Sequence, residues 1–355
     1  MNTRAVKVLI VDDSSFMRKA LSTMLRSDPG IEVVGTAASG LEGVEKARTL
    51  RPDIITMDVE MPGMDGIEAL KRIMRENPLP VVMVSAQTVE GARVTLRALE
   101  LGAVDFISKN LSGSSMDIVR IRAALTEKIK HLGRKGFVRT PADRGRLAPR
   151  VNGTLYRPLK ACPDGMRVDV VAIGASTGGP KMLQQMIPAL PKNFPAPVLI
   201  SQHMPPNFTK PFAERLDQIS AISVKEAEDG ENIKSGVVYI APGRGHMKVA
   251  GSLQRPSVCV EEGGDFIYRP SVDVLMSSVA AHFPKRAVGV ILTGMGNDGL
   301  KGFMGLKKAG GRIIAQDEGT CVIYGMPKAV VEAGLADSVL PVQDIPAAIL
   351  ACVGR

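Results

Sequence analysis

Nowhere in the 355 residues does an apolar run approach the roughly 20 residues that a membrane-spanning helix needs, so direct membrane insertion is not expected. The start, Met1-Asn2-Thr3-Arg4-Ala5, leads straight into a strand pattern without the roughly 7–15-residue apolar core of a secretory signal, and a cytoplasmic location is expected. Cysteine is sparse: Cys162, Cys259, Cys321 and Cys352 lie far apart with no C-x-x-C pair. That argues against a zinc site and against a disulfide framework, and leaves them as buried or incidental thiols. Histidine is as scarce, with only His131, His203, His246 and His282, so an acyl hydrolase built on this chain takes its general base from these four. The net charge of +9 is not spread evenly: between His131 and Arg167 nine Lys and Arg residues face two Asp. The stretch is rich in Gly and Pro, lacks hydrophobic periodicity and has no regular aromatic interleaving, which reads as a solvated linker and not as a nucleic-acid surface.

What is present is enough apolar sequence, 45% of the chain, for two sizeable cores. Residues 1 to about 128 alternate strand and helix patterns five times, the signature of a doubly wound parallel sheet. The strands read as Val6-Val11, Ile31-Thr36, Asp53-Met57, Val81-Val84 and Ala103-Ile107, with amphipathic stretches such as Phe16-Leu25 and Ile67-Arg75 between them. Asp12 and Asp13 end the first strand, Asp58 the third, Ser85 the fourth and Lys109 the fifth, and that carboxyl edge is where such sheets bind ligands. Three converging carboxylates repel one another unless a cation intervenes, and a hard divalent ion such as Mg²⁺ suits an all-oxygen donor set. Ser85 and Lys109 supply a hydroxyl and an ammonium for phosphoryl oxygens.

From Val168 onward the alternation resumes, with strands at Val168-Ile173, Val198-Ser201, Val237-Ile240, Val288-Leu292 and Arg312-Ala315, and hairpin-like sequence around Gly236-Glu262. Ser176 sits in Gly174-Ala175-Ser176-Thr177-Gly178-Gly179 on a strand-to-helix turn, which holds a hydroxyl clear of the sheet beside free backbone N–H groups. His203 follows the next strand, and Asp298 a later one in Gly294-Met295-Gly296-Asn297-Asp298-Gly299. All three therefore fall on one edge, as a Ser–His–Asp relay requires. His246 reads as part of a Gly-rich turn and His282 as the end of a helix, so both fit less well. The order Ser, His, Asp differs from that of the α/β-hydrolases, which excludes that fold despite the G-x-S-x-G match. A dinucleotide-binding turn would need an acid where Gln202 and His203 stand, and a DNA-binding output would need a compact helical module that the Gly-rich second half lacks.

Asp12-Asp13, the run Met57 to Gly66, Ser85-Ala86 and Lys109 resemble the receiver domain of two-component systems. That resemblance implies Asp58 as phosphoacceptor and a Mg²⁺ site made of Asp13, Asp58, the Glu60 carbonyl and, largely through water, Asp12. It also implies Ser85 as switch hydroxyl, Phe106 as switch aromatic and Lys109 as the phosphate-contacting lysine. Asn110 departs from the family, which usually has proline after the lysine. In the second half, Ile173 to Pro180, Gln202-His203-Met204-Pro205-Pro206, Gly294 to Gly299, Ala315 to Glu318 and Tyr324-Gly325-Met326-Pro327 resemble the chemotaxis protein-glutamate methylesterases. The fold class expected is thus α/β with two doubly wound parallel-sheet domains: a flavodoxin-like receiver (1–128), a basic linker (129–165), and a Rossmann-like hydrolase domain with antiparallel edge additions (166–355). The resemblance implies a Ser176, His203, Asp298 triad with Thr177 and Met295 N–H groups as oxyanion hole, and no cofactor in that domain. It further implies hydrolysis of glutamate γ-methyl esters and deamidation of glutamines on the cytoplasmic helices of methyl-accepting chemoreceptors. The phosphodonor would be a histidine kinase, and the receiver would obstruct the active-site cleft until phosphorylated. A receiver-controlled hydrolase serving a non-chemotaxis sensory complex is the alternative.

Overall fold

The computed structural model describes residues 4–85, 88–109, 115–135, 168–263 and 268–353, and side chains throughout these except 115–121, 124 and 135. The chain divides into two compact units, Met1–Leu147 and Ala148–Arg355. Among the described residues no helix is long and apolar enough to cross a membrane.

The first unit alternates β1 (Val6–Val11), α1 (Ser15–Arg26), β2 (Ile31–Ala37), α2 (Gly40–Leu50), β3 (Ile54–Asp58), α3 (Gly66–Glu76), β4 (Val81–Ser85), α4 (Val89–Glu100), β5 (Asp105–Ser108) and α5 (Ser115–Lys135). The strands form one parallel sheet in the order β2-β1-β3-β4-β5. Every residue of β3 and β4 is buried, as expected of strands covered by helices on both faces. Helix starts follow local chemistry: the side chains of Ser14, Ser39, Asp65 and Thr88 accept from backbone N–H groups in the first turns of α1, α2, α3 and α4. Ile67, Leu70 and Ile73 recur at a spacing of three and bury one face of α3. Helix α5 continues past residue 128 to Lys135, and the rest of the basic linker, 136–165, lies outside the described residues.

The second unit contains β6 (Val170–Ala175), α6 (Gly179–Met186), β7 (Val198–Gln202), α7 (Pro206–Ile219), β8 (Ser223–Glu226), β9 (Val237–Ile240), β10 (Gly245–Ser252), β11 (Arg255–Glu262) and α8 (Val272–His282). It continues with β12 (Ala287–Ile291), α9 (Leu300–Lys308), β13 (Arg312–Gln316), α10 (Met326–Glu332), β14 (Ser338–Leu340) and α11 (Ile345–Val353). Seven strands pair in parallel in the order β14-β13-β12-β6-β7-β9-β8. The antiparallel addition is the hairpin β10–β11, hydrogen-bonded as a two-stranded sheet of its own. Val249 N–H donates to Ser278 Oγ (3.1 Å), fastening the hairpin to α8.

Two readings of single residues are corrected. His246 belongs to β10, not to a turn, and is fully buried: β10 packs against α8, and His246 Nδ1 accepts from Ser271 N–H (2.9 Å). Cys259 and Cys321 stand outside any disulfide, as expected, but Cys352 in α11 is disulfide-bonded.

One glycine decides how α3 joins the sheet. Gly66 N–H donates to Val59 carbonyl (3.0 Å), and a Cβ built on Gly66 would lie 1.9 Å from the Asp58 carbonyl oxygen. That neighbour is backbone and cannot turn aside. Gly66→Ala should therefore weaken the first unit by about 2 kcal/mol, the scale of an overpacked core. Native-state hydrogen exchange of the full chain should show lost protection in β3 and β4 and none lost in β12 and β13; unchanged protection in β3 would contradict the steric argument.

Candidate functional site

In both sheets the chain reverses its winding at one point, between β1 and β3 and between β6 and β12, leaving a crevice at the carboxyl ends of those strands. Each crevice holds a cluster of polar side chains.

In the first unit Asp12 and Asp13 follow β1 and Asp58 ends β3, and their carboxylate oxygens lie within 4.8 Å of one another. Lys109, just past β5, places Nζ 2.5 Å from Asp58 Oδ2 and 3.3 Å from Asp12 Oδ2. Glu60 N–H donates to Asp58 Oδ1 (3.3 Å), and Arg18 ties the loop by donating to the carbonyls of Asp12 (2.8 Å) and Asp13 (2.9 Å). Burial pushes the Asp58 carboxyl up to about 6, Lys109 pulling it down and the Asp12 carboxylate pushing it further up. Clustered hard oxygen donors, one of them exposed on Asp13, fit Mg²⁺. Ser85, buried at the end of β4, donates to the Gly91 carbonyl in α4 (3.3 Å). Phe106 is buried in β5, and Asn110 lies outside the described residues.

In the second unit Ser176 follows β6, His203 follows β7, and Asp298 closes the loop between β12 and α9. Ser176 Oγ is 3.0 Å from His203 Nδ1, and His203 Nε2 is 2.7 Å from Asp298 Oδ2. Both ring nitrogens are engaged, so the arrangement fixes the tautomer. An ionised Asp298 accepts from Nε2–H, which leaves the Nδ1 lone pair to receive the Ser176 proton. Burial pushes the Asp298 carboxyl up, but His203 and the backbone N–H groups of Val272 and Asp273 outweigh it and hold the group below the ordinary value. Those N–H groups, at 2.7 and 3.1 Å, belong to the first turn of α8, and Ser271 Oγ donates to Asp298 Oδ1 as well (3.0 Å). The carboxylate thus sits on a helix N-terminus, where backbone dipoles favour negative charge.

The turn that carries Ser176 depends on close approach. Gly178 has φ +77°, and a Cβ there would meet Val322 at 2.5 Å; one on Gly294 would lie 2.8 Å from Ser176 Cβ. The backbone of Gly294-Met295 therefore passes directly beside Ser176. Among the described residues the N–H groups of Thr177 and Met295 donate to no acceptor. The sequence did not single out three supporting side chains. Gln202 Nε2 donates to the carbonyls of both Ser176 (2.9 Å) and His203 (3.0 Å), Ser271 holds Asp298, and the Tyr268 ring stacks on the His203 ring. Gln202 was visible as the residue before His203; Ser271 carried the weak signal of an N-cap before an apolar run.

The Asp58 shift generates a pH test. With the folded value near 6 and the ordinary value at 3.8, the folded state keeps a proton that the unfolded chain has lost, so metal-free stability falls as pH rises from about 4 to about 6. At pH 7 Asp58→Asn, which removes the charge, should raise the melting temperature of the first unit by a few degrees. Mg²⁺ should raise it in the unsubstituted chain and have little effect in the variant. Calorimetry of both proteins with and without Mg²⁺ checks the sign.

Comparison with known proteins agrees with both crevices. Family models match the response regulator receiver domain over residues 8–119 and the CheB methylesterase over residues 171–349. A protein-glutamate methylesterase/protein-glutamine glutaminase of Nitratidesulfovibrio vulgaris is 51% identical over 97% of this chain and 98% of its own length. A relative of the same name from Thermotoga maritima is 46% identical over 98% of each. The crystal structure of the Thermotoga maritima CheB methylesterase catalytic domain superposes with a TM-score of 0.50 at 49% identity, covering 51% of this chain and 96% of that one. With Ser176, His203 and Asp298 aligned in one crevice and a carboxylate–lysine cluster in the other, the chain belongs to the CheB methylesterase family and carries a response regulator receiver domain.

Proposed function

We propose that the chain is a phosphorylation-activated serine hydrolase that removes methyl groups from glutamate γ-methyl esters and deamidates glutamines on chemoreceptor helices in the cytoplasm. The observation that carries this reading is the unbroken run from Ser176 Oγ through both nitrogens of His203 to Asp298. As Oγ attacks the γ-carbonyl carbon, its proton passes to Nδ1, and Asp298 stabilises the imidazolium that forms. The N–H groups of Thr177 and Met295 receive the tetrahedral oxyanion. Collapse expels methanol, or ammonia from an amide, which takes its proton from Nδ1. Water then attacks the acyl-enzyme with Nδ1 as base, and glutamate and free Ser176 are restored. One site serves both substrates because ester and primary amide pass through the same kind of oxyanion.

The first unit supplies control. Asp58 accepts the phosphoryl group from a histidine kinase; Asp13, Asp58, the Glu60 carbonyl and, largely through water, Asp12 would hold a Mg²⁺ ion, which would supply charge neutralisation at the phosphoryl oxygens. Lys109 contacts the phosphoryl group, while Ser85 and Phe106 reposition in response. A receiver read at 1–128, whose last helix runs on to Lys135, a basic linker to 165 and the 166–355 domain make a receiver tethered at high effective concentration to the enzyme that it restrains.

Ser176→Ala should lower methanol release from methyl-labelled receptor membranes by about 10⁴-fold or more, with His203→Ala comparable; near-normal turnover would remove Ser176 as nucleophile. Residues 166–355 alone should outpace the unphosphorylated full chain, and a small phosphodonor should stimulate the full chain but neither the fragment nor Asp58→Asn. Equal basal rates for fragment and full chain would leave the receiver as a recruiting module.

A further inference from the structure

A general base that both takes and returns a proton must keep its orientation through a change of charge. His203 is held at its edge by Asp298 and Ser176, but edge contacts leave the ring free to rock about the line joining them. The Tyr268 ring supplies the missing restraint: it lies parallel to the imidazole, with centroids 4.7 Å apart and planes 4° from each other. Its own position is fixed independently of that contact. Met204 N–H donates to the Arg269 carbonyl (3.3 Å), Ser201 Oγ donates to the Pro270 carbonyl (3.0 Å), and Ser271 N–H is held by buried His246. The segment that begins with Tyr268 is thus pinned to the end of β7, the strand that delivers His203. At its far end the tyrosine hydroxyl reaches the Asp298 loop, 3.2 Å from where a Cβ on Gly296 would stand. Gly296 has φ +77°, so the loop is shaped to leave that space open.

Resting on the hydrolase reading above, we propose that Tyr268 is a positioning residue. Its ring face holds the His203 imidazole in the plane shared by Ser176 and Asp298 and stabilises the imidazolium as it forms. A flat aromatic face is suited to both tasks: stacking resists rotation out of plane, and the ring quadrupole attracts a cation above it. The work is done by the ring, not by the hydroxyl. Because Tyr268 acts through His203 and not on substrate, its loss changes the chemical step and leaves substrate affinity alone.

The test compares the full chain with Tyr268→Phe, Tyr268→Leu and Ser176→Ala, and with Tyr268→Met should the leucine variant not fold. On a soluble ester, Tyr268→Leu should lower kcat about 10-fold with KM within about twofold, the scale of lost orientation at a catalytic group, while Tyr268→Phe stays near the parent. Heteronuclear spectra of the four histidine rings give a readout independent of activity: the His203 ring protons should be shifted upfield by the aromatic face in the parent and Tyr268→Phe, and released in Tyr268→Leu. Parental kcat in the leucine variant, unchanged His203 resonances, or equal loss in the phenylalanine variant would each overturn the proposal. Activity retained by Ser176→Ala would instead remove the hydrolase reading, with the resonance comparison still deciding whether the stack exists.

Discussion

A carboxylate with only 9% of its surface exposed must be met by donors or give up its charge, and Asp298 is met by four: His203 Nε2, Ser271 Oγ and the N–H groups of Val272 and Asp273. Three of these come from the start of α8, so the helix is positioned by the charge as much as the charge by the helix. From that junction the rest of the site follows. The ionised carboxylate chooses the His203 tautomer, the tautomer turns a lone pair toward Ser176, and Gln202 ties the carbonyls of His203 and Ser176 so that the two loops cannot drift apart.

The receiver domain uses the same edge of the same kind of sheet to opposite electrostatic effect. Asp58 is as deeply buried as Asp298, yet its principal partner is one lysine, and a second carboxylate stands beside it. Its pKa is accordingly raised where that of Asp298 is lowered. Burial is common to the two; the number and sign of the neighbouring groups decide the outcome. A carboxylate held uneasily is responsive to a cation or a phosphoryl group, whereas one held by a helix N-terminus is indifferent to both.

Much of this was legible in sequence because parallel-sheet folds place chemistry at strand ends. The apolar runs located ten strands to within two residues, and Asp12, Asp58, Ser85, Ser176 and His203 fell where the runs stopped. The two edge strands were not legible: β8 mixes Ser, Lys and Glu with one Val, and β14 has three residues, so neither offers a run to detect. His246 was misread because Gly243 and Gly245 precede it on the way into the hairpin, a local signal that packing against α8 overrode. Tyr268 left no trace, since nothing near it in the sequence announces a partner that arrives from β7 through tertiary structure alone.

These two ways of holding a carboxylate bear on how the enzyme is controlled. The Ser176–His203–Asp298 line is continuous from hydroxyl to carboxylate, and its carboxylate is held below the ordinary pKa by the groups that surround it. Turning such a site off by dismantling it would mean stripping donors from a buried carboxylate, at a cost of several kcal/mol. Limiting access to it is far cheaper, and the receiver restraint proposed above would need a conformational bias of only a few kcal/mol. On that proposal the raised pKa at Asp58 and the lowered one at Asp298 are complementary: the first belongs to a domain that would respond, and the second to a site that would need only to be reached.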